Sequence, residues 1–182
     1  MSTPLPSVDA GTLRRLTAGR WLLPILAELH RTPAARFGVL IRRLAISRSM
    51  LAAGLDSLEK EGWIRRNPGH GHPLRPEYLL TAEGRSVAAW ASMASARLDE
   101  AGLSPADLGR WGLPLLRALA GGSADRFSAL EAQLLPITPR ALSMALTQLS
   151  AMALTDRRGE AGRHPRYALS ARGARLAHKL GV

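Results

Sequence analysis

Arg20-Trp21-Leu22-Leu23-Pro24-Ile25-Leu26 returns further along the chain as Arg110-Trp111-Gly112-Leu113-Pro114-Leu115-Leu116. From that pair of stretches the register runs on: Arg36-Phe37 matches Arg126-Phe127, Leu40 matches Leu130 and Leu44 matches Leu134. One inserted residue later, Ile46-Ser47 matches Ile137-Thr138, and Leu51, Leu55 and Leu58 match Leu142, Leu146 and Leu149. After a second length change, Pro76, Tyr78, Leu80 and Gly84 meet Pro165, Tyr167, Leu169 and Gly173. A chain rich in Leu and Ala matches itself often by chance, but not with Trp, Phe, Tyr, Pro and Gly shared in one order. The chain is read as a tandem duplication. Both length changes fall between secondary elements, where insertions are tolerated.

One repeat then decides the fold. Trp21 to Leu29 is apolar at helical spacing, with Pro24 early enough that its missing N–H costs no helical bond. Arg36 to Leu44 reads as a second, short helix. Ser47 reads as the N-cap of a third, running to about Glu61 with Leu51, Leu55 and Leu58 on one face and Gly62 past its end. Thr138 followed by Pro139 repeats that start in the second copy. Trp63 to Arg66 and Tyr78 to Thr81 look like two strands, joined by the Gly/Pro/His-rich stretch Asn67 to Arg75. Three helices, a strand, a loop and a strand are the order of a winged helix-turn-helix. A further helix, Ala82 to about Leu98, leads toward Ser104-Pro105-Ala106-Asp107, so the linker is helix plus a short turn. The expected fold is mainly α with small β-hairpin wings: two tandem winged helix-turn-helix modules joined by a helix. The first module is placed at residues 8–100 and the second at residues 101–182.

Composition agrees with a helical chain that meets a polyanion. Aromatic residues make up only 4% of the 182, so Leu, Ala, Ile and Val must fill the cores, which suits helices better than a large sheet. The formal net charge is +11 and is shared between the halves. Residues 1–100 carry 14 basic and 9 acidic side chains, and the remainder 11 and 5. Of the 25 basic residues only Lys60 and Lys179 are lysine, so nearly all the positive charge is guanidinium, which pairs bidentately with phosphates and guanine edges. A GC-rich genome accounts for Arg in place of Lys but not for the excess over acids, and a polyanionic partner does. The absence of cysteine excludes disulfides, thiolate metal sites and thiol redox sensing. With no signal pattern in Met1 to Gly11 and no apolar run of bilayer length, the chain is expected in the cytoplasm, associated with the nucleoid and not with a membrane.

Several ordered residues carry a family resemblance. They are Gly19-Arg20-Trp21 ahead of a Leu-rich helix, Arg36-Phe37, Ile46-Ser47 opening a helix with spaced leucines, Gly62 before an Arg-bearing strand, and Pro76-Glu77-Tyr78-Leu79-Leu80-Thr81-Ala82-Glu83-Gly84. Together they resemble the HxlR family of regulators, relatives of the MarR group, nearly throughout the chain and twice over. The resemblance implies a transcriptional regulator that binds double-stranded DNA. It departs from the family in three ways. Members are usually single modules that dimerise, so here one polypeptide imitates a dimer, with a homodimer of the chain left open. Pro24 and Pro114 stand where an aliphatic residue is commoner. The N-terminal cysteine of oxidant-sensing members is missing, so that signal is not carried over.

A third helix laid in the major groove presents its outward N-terminal residues to base edges. In the first copy these are Arg48, Ser49, Ala52, Ala53 and Asp56, behind the cap Ser47; in the second they are Arg140, Ser143, Met144 and Thr147, behind the cap Thr138. A solvated helix face is the plainer alternative. The strands and the loops between them carry Arg65, Arg66 and Arg75 in one copy and Arg157, Arg158, Arg163 and Arg166 in the other. Arginines so placed suit the backbone or a minor groove, though Glu160 partly offsets the second set. Arg36 and Arg126 stand where their helices open, suited to a phosphate or to a local ion pair. His70 and His72 invite a metal reading, but no cysteine or acidic cluster completes a ligand set, so they are counted with the DNA-facing loop and no metal or cofactor is expected. Trp21, Trp111, Phe37 and Phe127 read as core, and Trp90 as either module packing or a self-association surface.

No nucleophile triad, phosphate-cradling loop or paired carboxylates appear, so catalysis is not expected. RNA polymerase stands as a candidate second partner. The competing reading is a tandem winged-helix adaptor in a chromosome-organising or polymerase-associated complex, which has no need of basic wings.

Overall fold

The computed structural model describes residues 7–67, 76–159 and 165–182. A short helix, α1 (Ala10–Leu16), begins where the Asp9 carboxylate accepts from the amides of Gly11 and Thr12. The first repeat follows as α2 (Leu22–Arg31), β1 (Ala35–Arg36), α3 (Phe37–Leu44), α4 (Arg48–Lys60), β2 (Ile64–Asn67), β3 (Glu77–Leu80) and α5 (Ala82–Glu100). The second runs α6 (Pro105–Ala120), α7 (Phe127–Gln133), α8 (Pro139–Ala151), β4 (Thr155–Arg158), β5 (Arg166–Leu169) and α9 (Ala171–Leu180). The expected order of three helices and a strand pair holds in both. The joining strands β2 and β3 lie one residue away from the spans read in the sequence, and Asn67 pairs with Glu77 at the far end.

The second short helix starts later than expected, because Arg36 belongs to a strand. Ala35 and Arg36 pair with Tyr78 and Glu77, so the first sheet has the order β1-β3-β2 and Arg36 is the N-cap of α3. In the second repeat a single bridge between Arg126 and Arg166 takes the place of β1 beside the pair β4-β5. Pro24 is the third residue of α2, where its absent N–H has no intrahelical partner to lose. Pro114 lies inside α6, but Gly109 interrupts that helix five residues earlier.

Both repeats are locked at the same corner. Thr81 accepts from the Gly84 amide at 3.0 Å and donates to the Gly62 carbonyl at 2.7 Å. Ser170 likewise accepts from the Gly173 amide at 3.0 Å and donates to the Ala153 carbonyl at 2.6 Å. The helix behind each lock lies so close to the strand that a Cβ on Gly84 would stand 1.8 Å from the Trp63 carbonyl oxygen, and one on Gly173 would stand 1.9 Å from that of Leu154. Only a residue without a side chain fits, which is why this pair survives in both copies. The turn before the strand is less uniform: Gly62 takes φ +75°, whereas Ala153 takes the same left-handed turn at φ 54° despite its Cβ.

The cores join. Trp63 and Trp90 are fully buried, and the Trp90 indole donates to the Leu180 carbonyl at 3.0 Å, tying α5 to the end of α9. Trp90 therefore packs one repeat onto the other. α5 also lies along α2, and α1 lies against α6 while Arg15 reaches Trp63 (5.2 Å to the ring centre) and Glu61 (3.0 Å). Helix α1 thus touches both repeats. Trp21, Trp111, Phe37 and Phe127 pack against the core only at its margin and stay part-exposed. The guanidiniums of Arg20 and Arg110 lie over Trp21 and Trp111 at 5.4 and 5.3 Å.

Candidate nucleic-acid interface

The two helices expected to read DNA begin in the same way. The Ser47 hydroxyl accepts from the Met50 amide at 3.2 Å, and the Thr138 hydroxyl accepts from the Ala141 amide at 3.2 Å, with Pro139 filling the first helical position. Each cap also spends its hydroxyl on the helix itself. Leu51, Gly54, Leu55 and Leu58 bury one face of α4, and Leu142, Ala145, Leu146 and Leu149 bury the matching face of α8. Burying each leucine contributes on the order of 2 kcal/mol, which fixes the rotation of the helix about its axis. The opposite face is then set. In α4 it exposes Arg48, Ser49, Ala52, Ala53 and Asp56; in α8 it exposes Arg140, Ser143, Met144 and Thr147.

Among the described residues Arg48 and Arg140 have no acidic partner, and their charge is free to meet another molecule. Asp56, the one acid on these faces, is held by Lys60 at 2.8 Å. Ser49 bonds Ser47 at 3.0 Å, and the Thr147 hydroxyl donates to the Ser143 carbonyl at 2.9 Å.

The remaining arginines divide into paired and unpaired. Arg65, Arg126, Arg157 and Arg158 are exposed and carry no ion pair among the described residues. Arg66 meets Glu59 at 3.0 Å and lies over the Tyr78 ring at 5.9 Å. Arg36 meets Glu77 at 3.4 Å across β1 and β3. At the position matching Glu77 the second repeat has Arg166, which sits opposite Arg126 and is balanced by Asp125 at 2.5 Å. His70, His72, Arg75 and Arg163 lie outside the described residues.

Sequence periodicity hides two features of this surface. Met50 is a large apolar side chain next to Leu51 of the buried stripe, yet half of it is exposed. The ion pairs of Arg36 with Glu77 and of Arg166 with Asp125 join residues 41 positions apart, and only the fold brings them together. Among the described residues no group of three or more His, Asp or Glu side chains is arranged to hold a metal ion, and no helix is long and apolar enough to cross a membrane.

Two copies of a three-helix unit with a paired-strand corner, each presenting an arginine-tipped third helix, define a tandem winged helix-turn-helix protein. The family of HxlR-like helix-turn-helix proteins matches residues 16–98 and again residues 108–182, and the chain belongs to that family. Membership carries duplex DNA as the partner class and transcription regulation as the role. The chain is 38% identical over 73 residues to YdzF of Bacillus subtilis, named an uncharacterized HTH-type transcriptional regulator; the match covers 40% of this chain and 67% of that protein. It is 39% identical over 79 residues to proteins of the same description from Mycobacterium bovis and Mycobacterium tuberculosis, covering 43% of this chain and 49% of each of them. The chain thus spans about half the length of the mycobacterial relatives. No solved structure matches the chain significantly.

Proposed function

We propose that the chain is a sequence-specific double-stranded DNA-binding regulator of transcription in which α4 and α8 each enter a major groove. One observation carries this: each of these helices turns a buried leucine stripe inward and exposes, at its N-terminal end, an arginine with no acidic partner among the described residues. Arg48 and Arg140 read base edges, assisted by Ser49, Ala52, Ser143 and Thr147, while the caps Ser47 and Thr138 aim the helix ends. The wing set takes the backbone or minor groove, with Arg65, Arg157 and Arg158 contributing more than Arg66, Arg36 and Arg166, whose charges are already partly matched. Arg126 joins a phosphate, and DNA contact by His70, His72, Arg75 and Arg163 is part of the same proposal. The working unit comprises two modules, residues 8–100 and 101–182, paired within one chain as a pseudo-dimer.

The test is the salt dependence of duplex binding. Each phosphate neutralised releases condensed counterions, so log affinity falls with log salt at a slope near −0.9 per contact. A steep slope supports the proposal. A flat response, or no duplex binding at low salt, excludes it in favour of the adaptor reading.

A further inference from the structure

Three large apolar side chains among the described residues are exposed: Met50 (51%), Leu135 (59%) and Met144 (63%). Leu135 lies in the turn between α7 and α8. Met50 lies one turn before the buried Gly54 and so sits at the edge of the apolar stripe of α4. Met144 has no such excuse. It stands four residues after Arg140 and three before Thr147, in the middle of the solvent face of α8, with the buried Leu142, Ala145, Leu146 and Leu149 on the other side. The leucine register of the two helices sets Met144 against Ala53 in α4, so the fold does not ask for a long side chain at this place. An unbranched, flexible thioether among polar neighbours is therefore a surface made for a small apolar target.

In a major groove there is one such target. Three of the four bases offer only donors and acceptors there, whereas thymine adds a methyl group on C5. We infer that Met144 packs on the C5 methyl of a thymine in the half of the site read by α8, and that the first repeat, with Ala53 at the matching place, makes no equally long-reaching apolar contact. The inference rests on the proposal that α8 enters the major groove. It goes further by naming the base and the group that is read.

The experiment uses the full chain and the best duplex recovered by binding-site selection. Each thymine is replaced in turn by deoxyuridine, which removes the methyl and leaves pairing and hydrogen-bonding groups as they were. Burying one methyl-sized group changes affinity about fourfold. Wild type is expected to lose that factor at a thymine in one half of the site. Met144→Ala is expected to bind the thymine duplex about fourfold more weakly and to make no distinction between thymine and deoxyuridine at that position. Met144→Leu, which keeps an apolar reach, retains the distinction. Affinity for an unrelated duplex is measured for all three proteins as well, and the thymine-to-deoxyuridine ratio is read within each protein, so that a general change in DNA affinity cancels. If no thymine shows a methyl effect, or if Met144→Ala keeps it in full, the inference falls while DNA binding stands. If wild type binds no duplex at all, both fall.

Discussion

The two repeats share a fold but hold it together differently. In the first, the buried carboxylate of Glu28 on α2 takes Arg31 at 2.8 Å, Arg43 from α3 at 2.8 Å and the hydroxyl of Thr32 at 3.1 Å. In the second, the matching positions are Ala118, Gly121, Gln133 and Gly122, and no charge remains. Burial pushes the Glu28 carboxyl up, but its three hydrogen-bonding partners outweigh that and hold it below its ordinary value of 4.5. What did not change is the corner lock and the glycine behind it. The difference shows which parts of the unit are geometric necessities and which are one copy's solution to joining two helices.

The sharpest test of the shared part is Gly84→Ala and Gly173→Ala. Each Cβ would collide with a backbone carbonyl that cannot swing aside, so each should destabilise by about 3 kcal/mol or more, or prevent folding. Equal losses in urea denaturation support the equivalence of the corners. A tolerated Gly173→Ala would break it.

Next come α4 and α8, the helices proposed to read DNA. Arg48→Ala and Arg140→Ala should each weaken binding to the selected site by about 2 kcal/mol. Because the exposed faces of α4 and α8 differ, selection repeated with each variant should relax different bases. Relaxation of the same bases by both variants would show that the two repeats do not divide the site. No effect of Arg140→Ala would mean that the second repeat has left DNA reading to the first.

Glu28→Gln should cost about 1.5 kcal/mol at neutral pH, moderated because Arg31 and Arg43 are half exposed. The sign with pH follows from the lowered carboxyl. Its contribution is complete above the unfolded value near 4.5 and is lost as pH falls through the lower folded value. The gap between wild type and variant, measured by urea midpoint, should therefore shrink on acidification. A gap constant from pH 7 to pH 3 would show that the ion cluster does not act through its charge.

The smallest effect is at the turn. Gly62→Ala should cost about 1 kcal/mol, since alanine there must adopt a positive φ. Ala153→Gly should gain about 0.5 kcal/mol, the relief being offset by glycine's freedom in the unfolded chain. Opposite signs in matched thermal melts sharpen the comparison; like signs would mean that the two turns are not equivalent.

Local patterns were legible in the sequence. Ser47 and Thr138 cap the helices whose starts they mark in the sequence, the spaced leucines face inward, and Gly84 and Gly173 mark one corner. Each of these signals lies within a few residues of the structure it causes. Strand β1 was not legible, because Ala35 and Arg36 have no strand propensity and pair only because Tyr78 and Glu77 arrive beside them. Helix α1 was equally silent, a short segment stabilised by contacts to both repeats. In the proposed interface, which arginines stand on exposed elements could be read from sequence. Which of them are already matched by Glu59, Glu77 or Asp125 could not, since those partners come from other elements.

The bond from the Trp90 indole to the Leu180 carbonyl joins two repeats of a single polypeptide. Two separate subunits must find each other before they can act together, and at low copy number most stay apart. Here the second repeat is always present at the effective concentration set by the tether, however dilute the cell keeps the protein. Occupancy of a site read by this pair would rise in simple proportion to the number of chains, without the threshold that subunit assembly imposes. Below saturation, doubling the gene dose of such a chain would double the response rather than trip it.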